Sequence, residues 1–91
     1  MSDIHEKQFE RVIKSLANRR RLAILRYLRK EKEATVGDIA DEIRLSFKAT
    51  SKHLGVLSAA GVVDREQRSL QMFYFLSPAL PKAAASIISL L

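Results

Sequence analysis

The sequence predicts a mainly α-helical domain with one small β-hairpin, its elements running α-α-α-α-β-β-α. Three observations lead there. Apolar residues recur at helical spacing along most of the chain. The stretch richest in Val, Phe and Tyr is confined to residues 62–76. Only three glycines and two prolines punctuate 91 residues, with no repeat and no linker, so one domain over 1–91 is expected.

The first helix runs from Asp3 to about Ala17, where Phe9, Val12, Ile13 and Leu16 form one stripe at i, i+3, i+4 and i+7. Asn18 is suited to cap a second helix, "RRRLAILRYLRKE". In it Leu22, Leu25 and Leu28 face inward, Ile24 and Tyr27 widen the stripe, and the arginines take the remaining surface. A third, two-turn helix begins at a Thr35 cap, with Asp38 in its first turn and Val36, Ile39, Ala40 and Ile43 on one face. The fourth, about 47–60, starts after Ser46 and stops at Gly61, a residue free to take the left-handed conformation. "VVDREQ" and "QMFYFL" then read as two strands of a hairpin over about 62–76. Ser77 and Pro78 look like the cap and first residue of a last helix, about 78–91, striped by Leu80, Ala83, Ala84, Ile87, Ile88 and Leu91.

Composition removes several functions. The chain has no cysteine, which excludes disulfides, thiolate metal sites and thiol switches. The first ten residues are charged and lack an apolar signal core, and no run approaches the roughly 20 apolar residues of a membrane span, so a cytoplasmic protein without a membrane partner is expected. The net charge of +6 is unevenly spread: residues 11–30 hold eight basic side chains and no acid, whereas residues 31–43 are acidic. A polyanion such as nucleic acid is a natural partner for such a surface.

The third and fourth helices are joined only by residues 44–46, so they must cross steeply, as in a helix-turn-helix. On a helical wheel Phe47, Thr50, Leu54, Leu57 and Gly61 share one side of the fourth helix. Lys48, Ser51, Lys52, Gly55 and Ala59 share the other. Lysine and serine can bond base edges or phosphates, and small residues allow close approach to a major groove. Any solvated helix face also contains lysine and serine, so the setting decides: a basic helix before it and a hairpin after it, with Arg65 and Arg68 near the tip. Arginines there suit a phosphate backbone or minor groove, unless the adjacent Asp64 and Glu66 neutralise them. The whole is a winged helix.

Two patterns sharpen this reading. "LAxxRRxxIL" is present as Leu16, Ala17, Arg20, Arg21, Ile24 and Leu25, and "SxHLxxLxxAGxV" as Ser51, His53, Leu54, Leu57, Ala60, Gly61 and Val63. With them the chain resembles, over roughly residues 12–76, the arsenic-repressor type (ArsR/SmtB) family of winged-helix transcription regulators. The resemblance implies that the fourth helix reads DNA, that the hairpin touches the backbone, and that the first and last helices form a two-fold dimer. Carried over by position, it implies Lys48, Ser51, Lys52 and His53 as groove residues, with Thr50 beside them. The chain departs from the family where a polar residue such as glutamine is common and Phe47 stands instead. Inward packing of Phe47 is expected from its wheel position; contact with a thymine methyl is the alternative. It departs again at Ser69 and Leu70, where a Gly-Arg pair is common.

Many relatives in that family bind metals through cysteines on the third helix or through Asp, His and Glu on the last. Here the third helix has no thiol and "SPALPKAAASIISLL" has no ligand residue, so no metal and no cofactor is expected. His5 and His53 lie in separate elements, and Asp38 with Glu42 reads as a solvated face. No nucleophile is paired with a base and no Gly-rich phosphate loop exists, so the chain is not expected to be an enzyme. The last helix carries Lys82 as its only charge and needs a cover for its apolar stripe. A homodimer interface through Phe9, Leu80, Ala84, Ile87, Ile88 and Leu91 is therefore expected. The function expected is a sequence-specific regulator of transcription that binds double-stranded DNA as a dimer, most simply as a repressor at a pseudo-palindromic operator. The alternatives are a winged-helix module that docks on protein, or a nonspecific DNA-binding protein. The sequence names no effector.

Overall fold

The computed structural model describes residues 3–91, with side chains from residue 5 onward. Five helices and three strands follow in the order α1 (Asp3–Leu16), α2 (Arg19–Glu31), β1 (Ala34–Thr35), α3 (Val36–Ile43), α4 (Phe47–Ala59), β2 (Val63–Arg68), β3 (Gln71–Leu76) and α5 (Lys82–Ile88). Three of the four expected caps close their helices. Asn18 Oδ1 accepts from Arg21 N, Thr35 Oγ1 from Asp38 N and Ser46 Oγ from Ala49 N, each bond satisfying an amide that the first turn would leave unpaired. At the far end of α4, Gly61 has φ +75°, and Val62 N bonds Leu57 O, so the chain turns straight into the sheet.

The strands form one antiparallel sheet in the order β1-β3-β2. β2 and β3 pair from Val63↔Leu76 to Arg68↔Gln71, joined by a two-residue turn at Ser69 and Leu70. Ser69 takes φ 55°, a left-handed conformation that the tight turn imposes and that a glycine would adopt at lower cost. The third strand, β1, was not expected from the sequence. Its two residues pair with Tyr74 and Phe73, an arrangement too short to leave a periodic pattern and fixed only by tertiary contact.

The core lies where α2, α3 and α4 meet the sheet. Ile24, Leu25, Leu28, Ile39, Leu54, Leu57 and Val62 are fully buried there, and α1 adds Val12 and Leu16. The last helix is shorter than expected. It spans Lys82–Ile88 rather than 78–91, and Pro81 stands at its cap without a side-chain bond. The reason is steric: a proline disfavours helical geometry in the residue before it, so Leu80 cannot be helical. Ser77 and Pro78 instead belong to a turn in which Ser77 Oγ accepts from Ala79 N. At its other end α5 is tied to α2, where Arg29 Nη1 donates to Ile88 O at 2.9 Å.

Candidate nucleic-acid interface

The turn between α3 and α4 is built by one left-handed residue. Arg44, at φ 55° and ψ 52°, ends α3, its N–H reaching back to Ala40 O and Asp41 O, and Ser46 opens α4 two residues later. Arg20 reaches across from α2, with Nη1 3.5 Å from Ile43 O. Cationic groups at a helix C-terminus interact favourably with its unpaired carbonyls, so α2 helps set the position of the turn.

On the outer side of α4, Lys48, Lys52 and Gly55 are exposed and Ser51 is half-buried. These residues share one arc, as their spacing predicts. The inner side holds Leu54 and Leu57, with Thr50 at 0% exposure. Thr50 was expected near the groove, and its burial corrects that. Its Oγ1 has no hydrogen-bond partner among the described residues, so the hydroxyl faces the core and cannot reach a base. Phe47 is corrected in the opposite direction. Its ring is 63% exposed, because it is the first residue of α4 and the buried stripe begins one turn later, at Thr50.

His53 is half-buried beside α2. Arg21 Nη1 lies 3.2 Å from His53 Nδ1. A guanidinium can only donate, so Nδ1 accepts and the ring proton sits on Nε2. Burial, followed by the charges of Arg21, Arg20 and Lys52, holds the His53 pKa below its ordinary value, which favours the neutral ring. The same guanidinium donates from Nε to Ser15 O at 2.6 Å and from Nη2 to Lys14 O at 3.2 Å. Arg21 therefore binds the end of α1 to the side of α4. Sequence reasoning left it among the surface arginines, yet the signal existed: Arg20 and Arg21 are the arginine pair of the "LAxxRRxxIL" pattern.

The two hairpin arginines differ. Arg68 pairs with both carboxylate oxygens of Glu33, at 2.6 and 2.8 Å, lies 3.4 Å from Glu66, and stacks over Phe73 at 4.7 Å. The hydrogen bond from Arg68 lowers the Glu33 pKa, and Glu33 in turn raises that of Arg68. A phosphate contact by Arg68 would have to compete with this carboxylate pair, which sets it apart from Arg65. Arg65 is exposed and makes no ion pair among the described residues.

The surface between α1 and α5 is apolar. α1 packs on α5 within the chain, which buries Ala84 and Ile88 in the core, so these two are not interface residues as expected. Leu80 and Leu91 are half-buried against the same core. What remains outside is an open groove of about 480 Å³ lined by Phe9, Ile13, Leu22, Ala83, Ser86 and Ile87. Phe9 is 53% exposed, and the unforeseen Leu90 is 81% exposed. Leu90 is off the stripe that Ile87, Ile88 and Leu91 continue, and it lies beyond the end of α5.

Known proteins agree with this architecture. A family model described as a helix-turn-helix domain matches residues 16–66. The transcriptional activator HlyU of Vibrio cholerae is 35% identical over 77 residues, which cover 85% of this chain and 70% of that protein. Among solved structures, the homodimeric winged helix-turn-helix DNA-binding domain of Mb0332 from Mycobacterium bovis, a possible ArsR-family transcriptional regulator, superposes with a TM-score of 0.83 at 29% identity, covering 99% of this chain and 82% of that one. The transcriptional repressor PagR of Bacillus anthracis superposes with a TM-score of 0.81 at 26% identity, covering 98% of each chain.

Proposed function

The chain belongs to the ArsR/SmtB-type family of winged helix-turn-helix transcriptional regulators, and we propose that it acts as a cytoplasmic homodimer that lays α4 of each protomer in the major groove of a pseudo-palindromic operator. The observation that carries this reading is the α4 outer arc. Lys48, Ser51 and Lys52 project side by side from a helix whose caps and core contacts fix its position. Lys48 and Lys52 supply charge for phosphate or guanine, Ser51 supplies a hydroxyl, and exposed Gly55 lets the helix approach closely. His53 donates through Nε2–H while Arg21 fixes the ring. On the wing, Arg65, which has no ion pair among the described residues, takes the backbone contact, whereas Arg68 braces the hairpin against Glu33.

The α1–α5 groove supports the dimer. Exposed Phe9, Ile13, Ile87 and Leu90 form an apolar surface that a second copy would remove from water. Two α4 helices related by a two-fold axis would enter successive major grooves about 34–36 Å apart. Repression follows if that site overlaps a promoter. The test is a footprint on DNA flanking the gene, at rising salt. The reading expects two protected half-sites one helical turn apart and affinity that falls linearly with salt on logarithmic axes. Uniform protection without a preferred site would contradict it.

A further inference from the structure

Phe47 is the one large apolar side chain on the leading turn of α4, and at 63% exposure it contributes little to the core. Burying such a ring is ordinarily among the strongest stabilising terms a residue can offer, so a fold that leaves it in water forgoes that gain. Its neighbours make the position specific. Lys48 follows it and Ser51 is its neighbour four residues on, so Phe47 borders the polar arc assigned to the groove. Side chains of a helix tilt toward its N-terminus, so the ring projects from the leading end of α4, the end that a recognition helix presents to base edges.

The major groove offers one methyl group, the C5-methyl of thymine; cytosine presents only a C5–H at the equivalent place, and the other base-edge features there are hydrogen-bond donors or acceptors. We propose that Phe47 is a specificity-determining residue that packs its ring on a thymine methyl in each operator half-site. The assignment rests on the reading of α4 as the DNA-binding helix. Glutamine or another polar residue at this position would select a base by hydrogen bonds. Phenylalanine selects by excluding water from a methyl group, and it leaves a polar edge at the same place unsatisfied. Operators of this protein should therefore require thymine at one fixed position per half-site.

The test uses the full chain and an operator defined by footprinting, with each half-site thymine replaced in turn by deoxyuridine, which lacks only the methyl. Binding is measured for the wild type and for Phe47→Ala, and a thermal melt verifies that the variant folds, as exposure of the ring predicts. At one thymine per half-site the replacement should weaken wild-type binding roughly fourfold, and roughly fifteenfold when both half-sites are changed. Phe47→Ala should bind the thymine and uracil operators equally at that position. If wild type and variant respond alike at every thymine, the inference is wrong while the DNA-binding reading stands. If no preferred site is found, both fall.

Discussion

The two outer faces of the molecule solve opposite problems. The outer arc of α4 is polar, basic and small at Lys48, Ser51, Lys52 and Gly55, with Leu54 and Leu57 turned inward and Phe47 exposed at its leading end. The α1–α5 face is apolar and open, with Phe9, Ile13 and Ile87 left in water. One suits a highly charged, hydrated partner, the other a second apolar surface. Arg21 joins them, because its guanidinium holds the last carbonyls of α1 and His53 of α4 at once. A change in how α1 packs would therefore be felt at the recognition helix.

The largest effect should come from breaking the apolar face. Ile87→Glu places a carboxylate in the groove, where it is tolerated in a monomer, since Ile87 is 39% exposed, but must be desolvated in a dimer. Such burial costs several kcal/mol, so sedimentation should show a folded monomer and operator affinity should drop by roughly a hundredfold or more. Retention of the dimer with full affinity would show that the groove is not the interface.

The hairpin arginines give a smaller and more discriminating comparison. Arg65→Ala should weaken operator binding several-fold and reduce the salt slope by about 1, as expected for one lost phosphate contact. Arg68→Ala should alter binding by no more than about twofold, because its cation is already committed to Glu33. Equal losses in the two variants would mean that the Glu33 pair opens on DNA.

The smallest effect concerns the inner side of α4. Thr50→Val keeps the shape and removes a buried hydroxyl that has no partner among the described residues. Denaturant unfolding should show stability unchanged or raised by about 1 kcal/mol, with operator affinity unaltered. A marked loss of affinity would return Thr50 to the interface.

The same contrast explains what was legible in the sequence. Asn18, Thr35, Ser46 and Gly61 mark helix ends through bonds or backbone preferences that span three or four residues, so local pattern was sufficient to place the helix-turn-helix. The outer arc of α4 followed from helical spacing in the same way. Long-range features were hidden. Arg68 finds Glu33 from 35 residues away, and β1 exists only because Tyr74 and Phe73 lie beside it. Thr50 and Phe47 sit three apart on one wheel face yet differ completely in exposure, because the core reaches the second turn of α4 and not the first. Pro81 was visible, and its effect on Leu80 is local, but the stripe from Leu80 to Leu91 outweighed it in the sequence reading.

The central claim, that the outer arc of α4 lies in the groove of an operator, is tested most directly by the salt dependence of operator binding by Lys52→Ala. Loss of one cation at the DNA should weaken binding at moderate salt and lower the logarithmic salt slope by about 1, with thermal stability unchanged because Lys52 is exposed. Wild-type affinity and an unchanged slope would contradict it.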